Sequence, residues 1–177
     1  MKKISGVILT VCLVLILAGC ASTSGLPKEI MSARDKAPED VIVGIGTANM
    51  GTLNMDRQTA ATRARADISN VLSSVVANMF RDFTATSEVD RDAQLAYQES
   101  FTRTLSESNI SGAVIKEERR DKDGNWWVVM YLSKTDIARE INQAQAAARL
   151  RVPQAAALDT EARMDQYLKE ARETRGY

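Results

Sequence analysis

The hydrophobic pattern changes period several times along the chain, and each change marks an element. The run VIVGIGTA, Val41–Ala48, is β-branched and closes in glycines, which predicts a buried strand. Beyond it, Ala61, Ala64, Ile68, Val71, Leu72, Val75, Met79 and Phe83 recur at helical spacing and predict one helix with a single apolar stripe. Asn54 or Asp56 can cap its start by accepting a backbone N–H. The stripe begins with alanines, so the first turns can approach a sheet closely. Arg57, Arg63, Arg65 and Arg81 lie largely off it. TATSEVD, residues 84 to 90, breaks the pattern. A second helix is predicted from about residue 91 to 108, with Ala93, Tyr97, Phe101 and Leu105 at four-residue steps and Asn109 as its end.

ISGAVIKEERR and WWVVMYLS then read as two strands around DKDGN. Asp123-Gly124 signals a hairpin, because the turn needs positive φ. In the second of these strands Trp126, Val128, Met130 and Leu132 point one way, and Trp127, Val129 and Tyr131 the other. Both faces are apolar, so this is a central strand, or one face meets a partner. Ser133 and Asp136 fit a capping box, and the helix after them should bury Ile137, Ile141, Ala144 and Ala148. Pro153 can open a new helix or kink the old one. The last segment has good helix formers but a thin apolar face, Met164, Tyr167, Leu168 and Ala171. With Asp159/Arg163 and Asp165/Lys169 as i, i+4 pairs, it reads as a protruding or loosely docked helix. The expected fold class is therefore α+β. A small sheet of about three strands packs with two to three helices over residues 41–147, and a helical extension occupies 148–177.

The amino-terminal end carries a different signal. Met1-Lys2-Lys3 is a short basic start, and residues 7 to 18 form an apolar run broken only by Thr10. The run is short for a membrane-spanning helix, which needs about 20 apolar residues. A basic start, a short apolar core and small residues at its end describe a secretory signal peptide over residues 1–19. LAGC, ending in Cys20, resembles the lipobox of bacterial lipoproteins. The resemblance implies diacylglycerol on the Cys20 sulfur, cleavage before Cys20 and acylation of the new amino terminus. Cys12 lies in the segment that would be removed, so Cys20 has no disulfide partner, and lipidation accounts for its solitude. Ala21 follows in place of aspartate, which in a host with two membranes points to the outer membrane. Residues 20–40 are small, polar and punctuated by Pro27 and Pro38, and read as a flexible lipidated tether. A docked strand or helix there would have only Leu26, Ile30 and Met31 for apolar support.

Composition narrows the chemistry. The chain has 23 basic and 23 acidic residues, and removing Lys2 and Lys3 leaves a slight acidic excess. Neither nucleic acid nor an anionic membrane surface is implied as a partner by charge. There is no histidine, and processing would leave no free thiol. Cys/His zinc sites, Ser-His-Asp and Cys-His devices and internal disulfides are thereby excluded. Catalysis would rest on Asp, Glu, Lys, Ser or Tyr alone, so no enzyme, cofactor or metal is expected. GIGTANMG has Asn49 where the dinucleotide fingerprint needs glycine, and lacks the Gly-Lys-Ser/Thr of a P-loop. Its glycines fit close packing or a bulge at a strand end. DKDGN imitates a calcium loop, but the sixth position is Trp126 and the twelfth Leu132, so it reads as a turn. Glu117 and Glu118 alternate across a strand and form no acid/base pair. Trp126 and Trp127 could stack on a sugar or a base, although aromatic stripes are usually packing.

The VIVGIGTA strand, the QTAATRARADISNVL helix start and the DGNWWVVMYLSKTDI strand-to-helix passage together resemble the LPP-twenty type of small bacterial lipoprotein. More distantly they resemble the amino-terminal domain of the flagellar T protein. The resemblance covers about residues 38 to 147. It implies a small α+β domain and no catalytic residues, and the helical end beyond Pro153 departs from it. Three functions are expected in order. The first is a lipid-anchored outer-membrane lipoprotein with a non-catalytic periplasmic binding or assembly module. The second is a regulator of an envelope enzyme acting through the carboxy-terminal helix. The third is a peptidoglycan- or sugar-binding protein. An envelope protein or a second copy of the chain is the expected partner beside the membrane, with Trp126, Trp127, Tyr131, Met164 and Leu168 as its candidate surface.

Overall fold

The computed structural model describes residues 25–86, 90–107, 110, 112–153 and 163–176. Three strands form one antiparallel sheet in the order β1-β3-β2, with β1 Val41–Ala48, β2 Val114–Arg120 and β3 Trp126–Ser133. Among the described residues there are five helices: α1 Lys28–Asp35, α2 Leu53–Thr86, α3 Arg91–Glu107, α4 Lys134–Arg151 and α5 Met164–Arg175. The fold is α+β. β3 is the central strand, as its two apolar faces require.

β1 and α2 are joined by an exchange of side chains for proximity. Gly44 and Gly46 face α2, and a Cβ on either would overlap the carbonyl oxygen of Ala64 or Ala60. Glycine on the strand and alanine on the helix let the two backbones touch. The register Gly44↔Met130 and Gly46↔Val128 sets large side chains beside each gap. Ala60, Ala64, Ile68 and Leu72 are fully buried there, with Val128, Met130 and Leu132 of β3.

α2 has 34 residues, about 51 Å at 1.5 Å per residue, while β1 has eight. The helix therefore runs past the sheet, continuing through Thr86 where TATSEVD was expected to interrupt it. Beyond the sheet Phe80 meets Tyr97 at 5.7 Å and Phe101 at 5.6 Å, both edge-on, so α3 closes a second, helical part of the same core. At the other end α2 begins at Leu53, with the Thr52 carbonyl accepting the Asp56 N–H at 2.9 Å. Asp56 sits inside the first turn, and its side chain accepts the Met50 N–H instead of capping the helix. α4 begins as expected. The Ser133 hydroxyl oxygen accepts the Asp136 N–H at 3.2 Å, and Ile137, Ile141, Ala144 and Ala148 are buried.

Two further expectations need correction. Residues 28–35 are not tether: they form α1, which buries Ile30 completely against the sheet face opposite α2. Val43, Val129 and Tyr131 supply the rest of that contact, with Leu26, Ala33, Ile45 and Trp127 at its margin. One large side chain from the helix is enough, because the sheet brings a ready apolar face that must be covered. The carboxy-terminal helix is not a loosely attached extension either. Met164, Tyr167 and Leu168 of α5 are buried in the main core. The Tyr167 hydroxyl donates to Asp82 at 2.8 Å, Lys134 pairs with Asp165, and an Arg172 nitrogen donates to the Ala37 carbonyl at 3.2 Å. A narrow stripe suffices where polar ties fasten the helix along its length. Asp165 thus pairs across the fold and not with Lys169, which lies 3.9 Å from Glu173. Asp159 and the amino-terminal segment, including Cys20, lie outside the described residues.

Candidate functional site

The hairpin between β2 and β3 is organised by one carboxylate. Asp121 Oδ1 accepts the N–H groups of Asp123 at 2.9 Å and Asn125 at 2.8 Å. Its Oδ2 accepts from the Asn125 amide at 2.9 Å and the Trp127 indole at 2.8 Å. Gly124 takes the positive φ, 87°, that the sequence required. These donors, the indole of Trp127 first and then Asn125, hold the Asp121 carboxyl down at about 2 against an ordinary 3.8. Every Asp121 oxygen is thus engaged by its own turn. Among the described residues no group of three or more Asp, Glu, Cys or His is placed to hold a metal ion.

The five residues expected to form a partner surface are not together. Trp126 lies on the α2 side, half-buried against the main core, with the Arg57 guanidinium 5.9 Å from its ring. Trp127 lies on the α1 side, its N–H taken by Asp121. Tyr131, 8% exposed, donates its hydroxyl to the Ala33 carbonyl beneath α1, and burial raises its pKa while Arg172 opposes the rise. Met164 and Leu168, 1% and 2% exposed, are core residues. A partner cannot reach them without displacing α5.

Both sheet edges are managed. On β1, the alternate residues that turn their peptide groups away from β3 are met by side chains. Asp67 accepts the Ile45 N–H at 2.9 Å, Arg175 donates to the Val43 carbonyl at 3.1 Å, and Arg63 donates to the Thr47 carbonyl. Ile45, Arg63, Asp67 and Arg175 line a shallow groove there together with Leu26 and Arg34. The β2 edge leaves Val114 and Ile115 57% and 46% exposed, but it shifts register at Ile115/Glu117 and carries Lys116, Glu117, Glu118, Arg119 and Arg120. A bulge and a run of charge both discourage pairing with another strand.

A third surface feature was not anticipated from the sequence. Where β1 passes into α2, Met50 in the loop and Leu53 and Met55 in the first turn of the helix are each at least half exposed. They occupy the end of the molecule that also holds the hairpin turn, where Asn49 reaches Asn125. The signal was available: three large apolar residues within NMGTLNM fall before the buried stripe begins. No family model, curated protein or solved structure matches the chain.

Proposed function

We propose that the protein is a lipid-anchored envelope lipoprotein, held through Cys20 on the periplasmic face of the outer membrane, whose α+β domain is a non-catalytic binding or assembly module. The observation that carries the reading is Cys20 itself, a cysteine without a partner closing an apolar run directly after Leu17-Ala18-Gly19. Ala21 supports the outer membrane, and the LPP-twenty resemblance supports a small domain without catalytic residues. One acyl chain gives only marginal binding, while two or three on the same cysteine make a permanent anchor. No described helix is long and apolar enough to cross a membrane.

The two other readings draw less support from the fold. A regulator acting through an exposed stripe on the last helix would need Met164 and Leu168 free, and both are buried. A sugar platform built from Trp126 and Trp127 would need them on one face, and they lie on opposite faces of β3.

The test is the intact mass of protein purified from membranes, beside a Cys20→Ala form. The expected mass is that of a chain beginning at Cys20 plus acyl groups, with both features lost in the variant. An unmodified mass retaining the first residues would overturn the reading. The module part is tested by crosslinking in intact cells: a stable complex of defined size is expected, and a domain that stays monomeric and captures no envelope component would sink it.

A further inference from the structure

We infer that the β1–α2 junction, with Met50 in the loop and Leu53 and Met55 in the first turn of α2, is a membrane contact: the sheet end of the domain stands on the phospholipid bilayer that holds Cys20, with this junction in the interface. The inference rests on the lipid-anchor reading above and adds the orientation of the domain.

The first ground is the length of the tether. α1 is docked from Lys28, and Leu26 already packs at its margin. Cys20 precedes Leu26 by six residues, so fully extended chain reaches about 20 Å at the usual span per residue. The 20–40 tether first expected would have allowed more than three times as much. The bilayer must then pass within about 20 Å of Leu26.

The second ground is which parts of the molecule lie within that reach. Leu26 sits level with Ile45, in the groove shared by Arg63 and Asp67. Met50 follows Ile45 by five residues, a separation of at most about 17 Å. In the opposite direction α2 runs from Ala64, beside Gly44, to Thr86, which is 22 residues or about 33 Å. The loop end can therefore touch the membrane with the tether in place, and the far end of the helices cannot.

The third ground is the chemistry of the junction. Residues 49 to 55 carry no charge. The acid that follows, Asp56, is 1% exposed and turned inward to the Met50 N–H. Gly51 takes a φ of 87°, and a methyl group placed on it would meet nothing within 4 Å, so the loop projects into open space. Leucine and methionine with asparagine and threonine between them suit the boundary of headgroup and acyl chain, where apolar side chains enter by about 5–10 Å.

The experiment uses the full chain, processed by a bacterial host and reconstituted into phosphatidylethanolamine/phosphatidylglycerol vesicles. With Cys20 acylated, a single introduced cysteine is the only thiol. Met55→Cys, Met31→Cys on α1 and Leu150→Cys on α4 are each labelled with an environment-sensitive fluorophore. The vesicles carry nitroxide on shallow acyl carbons. The expected result is flotation of all three, with blue-shifted and quenched emission at position 55 only. Flotation with a solvent-like, unquenched label at 55 overturns the orientation and leaves the anchor standing. Quenching at 31 without 55 does the same, by placing the α1 face on the membrane. Failure to float, with Cys20 itself labelled, overturns the anchor and this contact with it.

Discussion

Arg175 closes the free edge of β1 through Asp67. One guanidinium nitrogen lies 2.7 Å from Asp67 Oδ2 and 3.0 Å from Oδ1, while another donates to the Val43 carbonyl at 3.1 Å. Asp67 in turn accepts the Ile45 N–H at 2.9 Å. Residues 108 positions apart in sequence thus satisfy the peptide groups that a foreign strand would otherwise seek. Arg175→Ala should cost about 1–2 kcal/mol, since it removes charge-assisted bonds from a partly exposed pair. Urea denaturation gives the loss, and light scattering should show slow self-association of the variant. Unchanged values in both would mean the edge is protected by other means.

The closeness of β1 and α2 makes two glycines irreplaceable. Gly44→Ala or Gly46→Ala places a methyl group on helix backbone that no rotamer change can clear. A loss of about 3 kcal/mol, at the upper end for overpacking, is expected in thermal melts. Gly51→Ala is the contrast. Its surroundings are open and only its positive φ is affected, so about 1 kcal/mol should be lost.

α5 belongs to the core. Met164→Ala and Leu168→Ala should each cost about 2–5 kcal/mol, the range for truncating a buried side chain. Leu150→Ala, at a residue 85% exposed, should change stability by less than about 0.5 kcal/mol. Removal of residues 154–177 should uncover the part of the main core that Met164, Tyr167 and Leu168 close, and lower the melting temperature sharply. A truncated chain with an unchanged melt would show that α5 is dispensable for folding.

Acid should act on the hairpin turn. The Asp121 pKa is held at about 2, below its ordinary 3.8, so its stabilising bonds are complete above about pH 4 and are lost as pH falls toward 2. Asp136 is depressed in the same direction by the Ser133 hydroxyl first and by Arg139 after it, and adds to the same acid-side loss. Asp121→Asn should flatten the pH dependence of the urea midpoint between pH 4 and 2. A carboxyl-carbon titration by NMR should place the wild-type midpoint near 2. A midpoint near 4 would show that the indole of Trp127 does not hold the carboxylate in solution.

The local elements were legible because each rests on neighbours in sequence. The period of Ala61, Ala64, Ile68 and Leu72 declared α2, Asp123-Gly124 declared the hairpin, and Ser133 with Asp136 declared the start of α4. The two apolar faces of WWVVMYLS even placed β3 in the middle of the sheet. The lipobox resemblance is likewise a property of consecutive residues. What the tertiary structure decided is everything that depends on supply and demand of surface. Residues 28–35 have little apolar content of their own, yet the exposed side of a two-faced sheet draws Ile30 onto it. Met164 and Leu168 make a thin stripe by themselves, but it matches the core left open along α2. The edge seal of Asp67 and Arg175 has no local signal, because hydrogen-bond partners at that separation are chosen only once the helices have set the distances. By the same logic Met50, Leu53 and Met55 have the composition of core residues, and only the packed fold shows that each is left about half exposed.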